Sequence, residues 1–283
     1  MEIKKVGVVG CGTMGSGIAL VCAQSGYQVV VSEINNELLN KGLASINNFL
    51  TKGIDKGKLS QQDKEATLAR IKGTTNTKDF SDCDLVIEAA IENMDLKKKM
   101  FAELDKICPE HTILATNTSC LSIIDMAMVT TRPDKVLGLH FFNPAPVMKL
   151  MEVVKTIATT GETLETGKAF GASLGKTIVI AQDSPGFIVN RLLIPFILNA
   201  VRMLEAGVAT REDIDAAINL GLNHPIGPLT LADLIGIDVV FFIANAIYDE
   251  FKDPQYITPT LVNKMVSAGW LGRKTGKGFY EYK

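Results

Sequence analysis

Short apolar runs alternate with longer amphipathic stretches through the first 183 residues, and the alternation then stops. Continuous apolar segments bounded by turn residues predict buried strands at 6–9, 29–32, 84–88, 112–116, 136–142, 149–154 and 177–181. Between them, helical spacing predicts helices at 18–24, 96–107, 121–128 and 162–174, with a polar, Lys-rich helical stretch over about 35–70 interrupted near Gly53 and Gly57. Strands that alternate with helices specify a doubly wound, mostly parallel sheet whose ligand lies at the carboxyl ends of the strands. Beyond Asp183-Ser-Pro-Gly186 the pattern predicts helices at 187–205, 211–220, 229–248 and 258–268, and one strand at 278–280. The run from Arg191 to Val201 is apolar nearly all round, the signature of a deeply buried helix, and Pro195 is expected to kink it. The fold class expected is therefore α/β: a Rossmann-type domain over 1–183 carrying the helical arm, then an all-helical domain over 186–283.

The first strand runs into Gly10-Cys-Gly12-Thr13-Met14-Gly15, which opens a helix, and the second strand closes on Glu33. Each part has a physical task. Gly10 permits the tight turn, Gly12 lets main chain approach a pyrophosphate, and Gly15 lets helix and strand pack closely. Free N–H groups and the dipole at the helix start then hold the anion. Glu33 stands where a carboxylate accepts hydrogen bonds from a ribose diol. A carboxylate there repels a 2′-phosphate, and Ile34, Asn35 and Asn36 offer no arginine for one. NAD is thus expected over NADP, with Thr13 and Met14 counted among the cofactor-binding positions.

Composition narrows the class. At 283 residues, 47% hydrophobic and 21% charged, the chain has the make-up of a globular protein of two domains. A net charge of −2 gives no footprint for nucleic acid. No apolar run reaches the eighteen or so residues of a membrane span, so no membrane partner is expected. Five cysteines without a C-x-x-C pair suggest a reducing, cytoplasmic setting. The chain starts at its first strand, so no leader peptide is expected, and no metal site is predicted.

A nicotinamide needs a proton carrier beside it, and the histidines are His111, His140 and His224. His111 sits at a polar entry to a strand and His224 in an Asn-His-Pro turn, settings that suit solvated or structural roles. His140 ends an apolar strand at the edge where this architecture gathers its chemistry. Glu152 interrupts the next apolar strand, and a bare carboxylate there would be costly to bury. One pairing accounts for both: Glu152 accepts from one ring nitrogen of His140, fixing its tautomer and raising its basicity. A core histidine beside an unrelated structural acid is the alternative. Asn117, Ser119 and Asn190 are further polar groups at element ends, and Glu88 and Glu92 flank Ala89-Ala90 at another strand end, with Lys97 a turn later. Taken singly, each also suits a cap or turn, and Glu88, Glu92 and Lys97 suit simple capping charges.

Together these blocks resemble the short-chain L-3-hydroxyacyl-CoA dehydrogenases along the whole chain, and most nearly the clostridial 3-hydroxybutyryl-CoA branch. The likeness is carried by residues 10–19, 85–92, 115–119, 140–154 (His-Phe-Phe-Asn-Pro-Ala-Pro-Val-Met-Lys-Leu-Met-Glu-Val-Val), 183–191, 224–228 and 269–280. The resemblance implies reversible hydride transfer between NAD(H) and a 3-hydroxyacyl/3-oxoacyl-CoA pair, with a C4 acyl group. It implies that His140 is the acid/base oriented by Glu152, and that Ser119 and Asn190 contact substrate. Glu92, Lys97, Asn143 and Lys274 match positions around the nicotinamide half of the cofactor, with Ala90, Asn117 and Ser119 counted beside them. In the family the helical arm meets the coenzyme A tail, which makes Lys52 and Lys56 candidates for its phosphates, although a solvated helix face has the same pattern. Glu33 stands where the family often has Asp, and Cys120 where it often has a second Ser. A homodimer through the helical domain is expected. Rival readings are an NADP-preferring or broader-chain enzyme, a dehydrogenase with a lysine as acid/base, and a catalytically idle NAD-binding protein.

Overall fold

The computed structural model describes residues 2–282. The chain divides into two units, Met1–Ser184 and Pro185–Lys283. In the first, the elements follow as β1 (Lys5–Val9), α1 (Thr13–Gln24), β2 (Gln28–Ser32), α2 (Asn36–Asp55), α3 (Gln61–Ala69) and β3 (Ile71–Thr74). Then come β4 (Leu85–Glu88), α4 (Met94–Ile107), β5 (Ile113–Thr116), α5 (Ile123–Ala127), β6 (Val136–Phe141), β7 (Leu150–Lys155), α6 (Gly161–Ser173) and β8 (Thr177–Gln182). The sheet order is β3-β2-β1-β4-β5-β6-β7-β8. Every neighbouring pair is parallel except β6 and β7, which run antiparallel with His140 opposite Glu152.

Helices on the sheet faces explain why the central strands are apolar on both sides. Val6, Val8, Val31, Leu85, Ile87 and Leu139 are all buried in one core with Ile18, Leu20, Ile46 and Phe170. The Lys-rich stretch resolves into α2 and α3. α2 is capped by Asn35, whose side chain accepts from the Leu38 N–H. Its partner α3 opens on a Ser60–Asp63 capping box. Strand β3 escapes the hydropathy pattern because it lies at the sheet edge, where Thr74 alone of its residues is buried.

The second unit is helical: α7 (Val189–Glu205), α8 (Arg211–Gly221), α9 (Pro228–Ile235), α10 (Ile237–Phe251) and α11 (Thr260–Ser267). Its core gathers Ile194, Ile197, Leu198 and Val201 of α7 with Leu229, Ala232, Val240, Ala244 and Val262. Three expectations are corrected here. The single helix over 229–248 is two, because Gly236 takes φ +108° and the axes turn by 96°. The strand over 278–280 is replaced by isolated bridges, Gly272 to Lys277 and Lys277 to Glu281. Asp233 pins that tail instead, accepting from the N–H groups of Phe279 and Tyr280 and from the Tyr282 hydroxyl. Finally, α7 passes through Pro195 but is not buried all round, since Leu192 is 71% exposed. Among the described residues no single helix is long and apolar enough to cross a membrane.

Candidate active site

The sheet order reverses at β1, which has β2 on one side and β4 on the other, so a crevice opens beyond their carboxyl ends. The glycine loop fills it. Gly10 has φ +95°, and a Cβ there would stand 2.8 Å from the Ala89 carbonyl oxygen. A Cβ on Gly15 would come within 1.9 Å of the Gly10 oxygen, so α1 approaches β1 as closely as only glycine allows. Gly12 differs: nothing lies within 4 Å of the place its Cβ would take. It is also the N-cap of α1, with no side-chain cap, so the first-turn N–H groups are not consumed by a neighbouring side chain. Thr13 beside it is exposed and Met14 half-buried. Glu33 closes the loop from β2, its Oε1 accepting the Cys11 N–H at 2.9 Å and its Oε2 the Ile34 N–H at 3.0 Å. An open, uncapped helix start beside a fixed carboxylate fits the pyrophosphate and ribose of a dinucleotide.

The ends of β4 and β5 carry a buried ionic node. Lys97 of α4, 1% exposed, places Nζ 2.6 Å from Glu88 Oε1 and 3.3 Å from Glu92 Oε2. Glu88 also accepts from the Ala90 N–H and from the Thr116 hydroxyl. Glu92 in turn accepts from the Thr118 hydroxyl and from the Ser119 N–H at 3.0 Å. The Ser119 hydroxyl lies 3.4 Å from the same oxygen. Glu88 and Lys97 are thus an interior pair satisfied by hydrogen bonds, the arrangement that makes a buried charge tolerable. Lys97 bears on the crevice through Glu92 and Ala90. Asn117 ties two strand ends together, donating its N–H to the Glu88 carbonyl and accepting the Phe141 N–H at Oδ1. Thr116 and Thr118 were not singled out in the sequence; their only signal is a hydroxyl at the end of an apolar strand.

His140 and Glu152 meet across the β6–β7 ladder, Nδ1 to Oε2 at 2.6 Å, with the carboxylate fully buried and the imidazole nearly so. An ionised carboxylate only accepts, so Nδ1 carries the hydrogen in this bond. Asn143 follows, exposed, at the start of the β6–β7 connection. His111 is exposed beside Asp84, and His224 is exposed with its ring 5.8 Å from that of Phe196. The two cysteines beside these elements are not thiolates: burial pushes Cys11 up to about 11 and Cys120 up to about 12, so both remain thiols at neutral pH. Lys52 and Lys56 are exposed at the end of α2. In the helical unit, Asn190 is buried in the first turn of α7, and Lys274 holds both oxygens of Asp238.

A dinucleotide cradle and a carboxylate-oriented imidazole at the same edge of a doubly wound sheet define an NAD-dependent dehydrogenase. Residues 5–184 match the family described as "3-hydroxyacyl-CoA dehydrogenase, NAD binding domain", and residues 186–282 its C-terminal domain. The chain belongs to the 3-hydroxyacyl-CoA dehydrogenase family. It is 49% identical to the 3-hydroxybutyryl-CoA dehydrogenase of Clostridioides difficile, over 98% of this chain and 99% of that one. Among solved structures it is similar to FadB2 of M. tuberculosis, with 44% identity and a TM-score of 0.98. It is likewise similar to the (S)-3-hydroxybutyryl-CoA dehydrogenase PaaH1 of Ralstonia eutropha, with 47% identity and a TM-score of 0.95; both matches cover each chain completely.

Proposed function

We propose that this chain interconverts acetoacetyl-CoA and (S)-3-hydroxybutyryl-CoA at the expense of NAD(H), with His140 as the acid/base. The observation that carries the reading is the buried His140–Glu152 hydrogen bond of 2.6 Å at the edge of the sheet beside the nucleotide cradle. When bound, NAD accepts hydride from C3 of the hydroxyacyl thioester or, as NADH, returns it; that chemistry is the cofactor's own. The protein handles the proton. In oxidation, His140 Nε2 takes the C3 hydroxyl proton while Nδ1–H stays on Glu152, whose charge stabilises the imidazolium. In reduction, the same nitrogen gives the proton to the developing alkoxide. The glycine loop with Thr13 and Met14 would hold the pyrophosphate, Glu33 the ribose, and Ala90, Glu92, Asn117, Ser119 and Asn143 the nicotinamide half. Lys97 would act by fixing Glu92.

Ser119 and Asn190 are assigned to the substrate, Lys274 to the cofactor, and Lys52 and Lys56 to the coenzyme A phosphates; for Asn190 and Lys274 the sequence match alone supports this. The same reading includes a cytoplasmic homodimer joined through the helical unit. Acetoacetyl-CoA added to the protein with NADH should give a fall in nicotinamide absorbance, faster than with NADPH and faster than with longer 3-oxoacyl-CoAs. No turnover of acetoacetyl-CoA while a longer homologue reacts would overturn the C4 assignment.

A further inference from the structure

Lys176 lies between α6 and β8, and its side chain is buried. Its ammonium reaches the β6–β7 connection and donates to two main-chain carbonyls, Ala145 at 2.5 Å and Met148 at 2.7 Å. Among the described residues no carboxylate neutralises it. Burial draws its pKa below the ordinary lysine value, countered by the neighbouring Cys22 on α1. An ammonium buried against neutral carbonyls is a costly way to fill space, and methionine would fill nearly the same volume without a charge. The two carbonyls are what a lysine here gains.

The connection held in this way carries Asn143 and rests on the cofactor helix α1. Ala145 is buried, and a Cβ on Gly17 would stand 3.2 Å from Ala145 Cβ and 3.3 Å from Pro146 Cδ. Asn143, Pro144, Ala145 and Pro146 line a cleft of about 170 Å³ together with Thr13, Ser16 and Gly17 of α1 and with Ser45 and Phe49 of α2. Lys176 holds the connection by its carbonyls, and α1 packs against it at Gly17. Within it, the amides of Val147 and Met148 both bond the Pro144 carbonyl.

We propose that Lys176 is a positioning residue for the dehydrogenase reaction: by holding the Ala145 and Met148 carbonyls it sets the width of the cleft between the Asn143 segment and α1. The proposal rests on the reading of that cleft as part of the NAD site. A displacement of about 1 Å far from the reacting atoms can lower a rate by about 10²-fold, so loss of the clamp should be felt in binding and turnover together.

The test compares Lys176→Met, which keeps bulk and loses the donors, with Lys176→Arg, which keeps charge and donors. NADH binding is followed by fluorescence without substrate, hydrogen exchange at Val147 and Met148 in the cofactor-free chain, and kcat and KM with acetoacetyl-CoA. Lys176→Met should weaken NADH binding and lower kcat by about tenfold each, with KM for acetoacetyl-CoA changed less than about threefold. Exchange at the two amides should accelerate, and Lys176→Arg should restore binding to within about threefold. A Lys176→Met chain that melts earlier yet keeps NADH affinity and kcat would overturn the proposal. So would a native chain whose Val147 and Met148 amides exchange at the rate of free peptide, a result that needs no variant to fold. If the native chain binds NADH but leaves acetoacetyl-CoA untouched, the substrate reading falls, and the NADH and exchange measurements still decide the role of Lys176.

Discussion

On the proposed mechanism, replacing the His140 imidazole removes the acceptor of the hydroxyl proton and leaves the glycine loop proposed for the cofactor untouched. His140→Asn should therefore bind NADH nearly as before and turn over about 10²–10⁴ more slowly, the range for a positioned acid/base. Stopped assays and NADH fluorescence on the same preparation check both halves, and near-normal turnover would remove His140 from the mechanism. Glu152→Gln replaces an acceptor-only carboxylate by an amide that can donate to Nδ1, so it disturbs the tautomer as well as the charge. Its turnover should fall, and its pH–rate profile should differ from that of the native chain; an unchanged profile would show that the pair does not act together. These two residues were legible in the sequence because one ends and the other interrupts an apolar strand, and a polar group that is buried needs a partner. Thr118 gave no such signal, since a threonine at a strand end needs no special account. Lys176 was invisible for another reason: its partners are main-chain carbonyls some thirty residues upstream, and carbonyls have no sequence.

Among the elements, α1 is held to β1 by the absence of a side chain. Gly15→Ala would push a methyl group into the Gly10 carbonyl oxygen, from which an ideal Cβ would be 1.9 Å distant, so the helix must shift or the loop must open. Overpacking of this kind destabilises by about 1–3 kcal/mol, and here the displaced groups are the ones that would face the pyrophosphate. The variant should remain folded by circular dichroism yet bind NADH at least about tenfold more weakly, since about 1.4 kcal/mol corresponds to tenfold. An unchanged dissociation constant would refute the close-packing role. The strands of the sheet interior were readable because helices cover both faces and leave unbroken apolar runs. Edge strand β3 has no such run. The break between α9 and α10 was hidden for the opposite reason: apolar residues continue on both sides of Gly236, and hydropathy carries no record of a backbone angle.

For the whole molecule, the helical unit leaves large apolar side chains uncovered. Leu192 and Met203 of α7, Leu220 of α8 (87% exposed), Leu222, and Leu234 of α9 all face solvent in the isolated chain. Apolar surface of this kind marks a partner face, and a two-fold axis is the commonest way for identical chains to cover one. Light scattering at micromolar concentration should give about twice the 30.6 kDa chain mass. A single species at the chain mass would leave those leucines unexplained and refute the dimer. The antiparallel turn between β6 and β7 has a different consequence. It brings His140 and Glu152 together across twelve residues, whereas the proposed nucleotide cradle draws on groups from Gly10 to Ser119. The His140–Glu152 pair is thus a contact of low sequence separation, cheap in loop entropy and able to form as soon as one hairpin closes. It is also modular: a graft of residues 136–155 onto another doubly wound sheet would carry the imidazole, its acid and their register as one heritable piece.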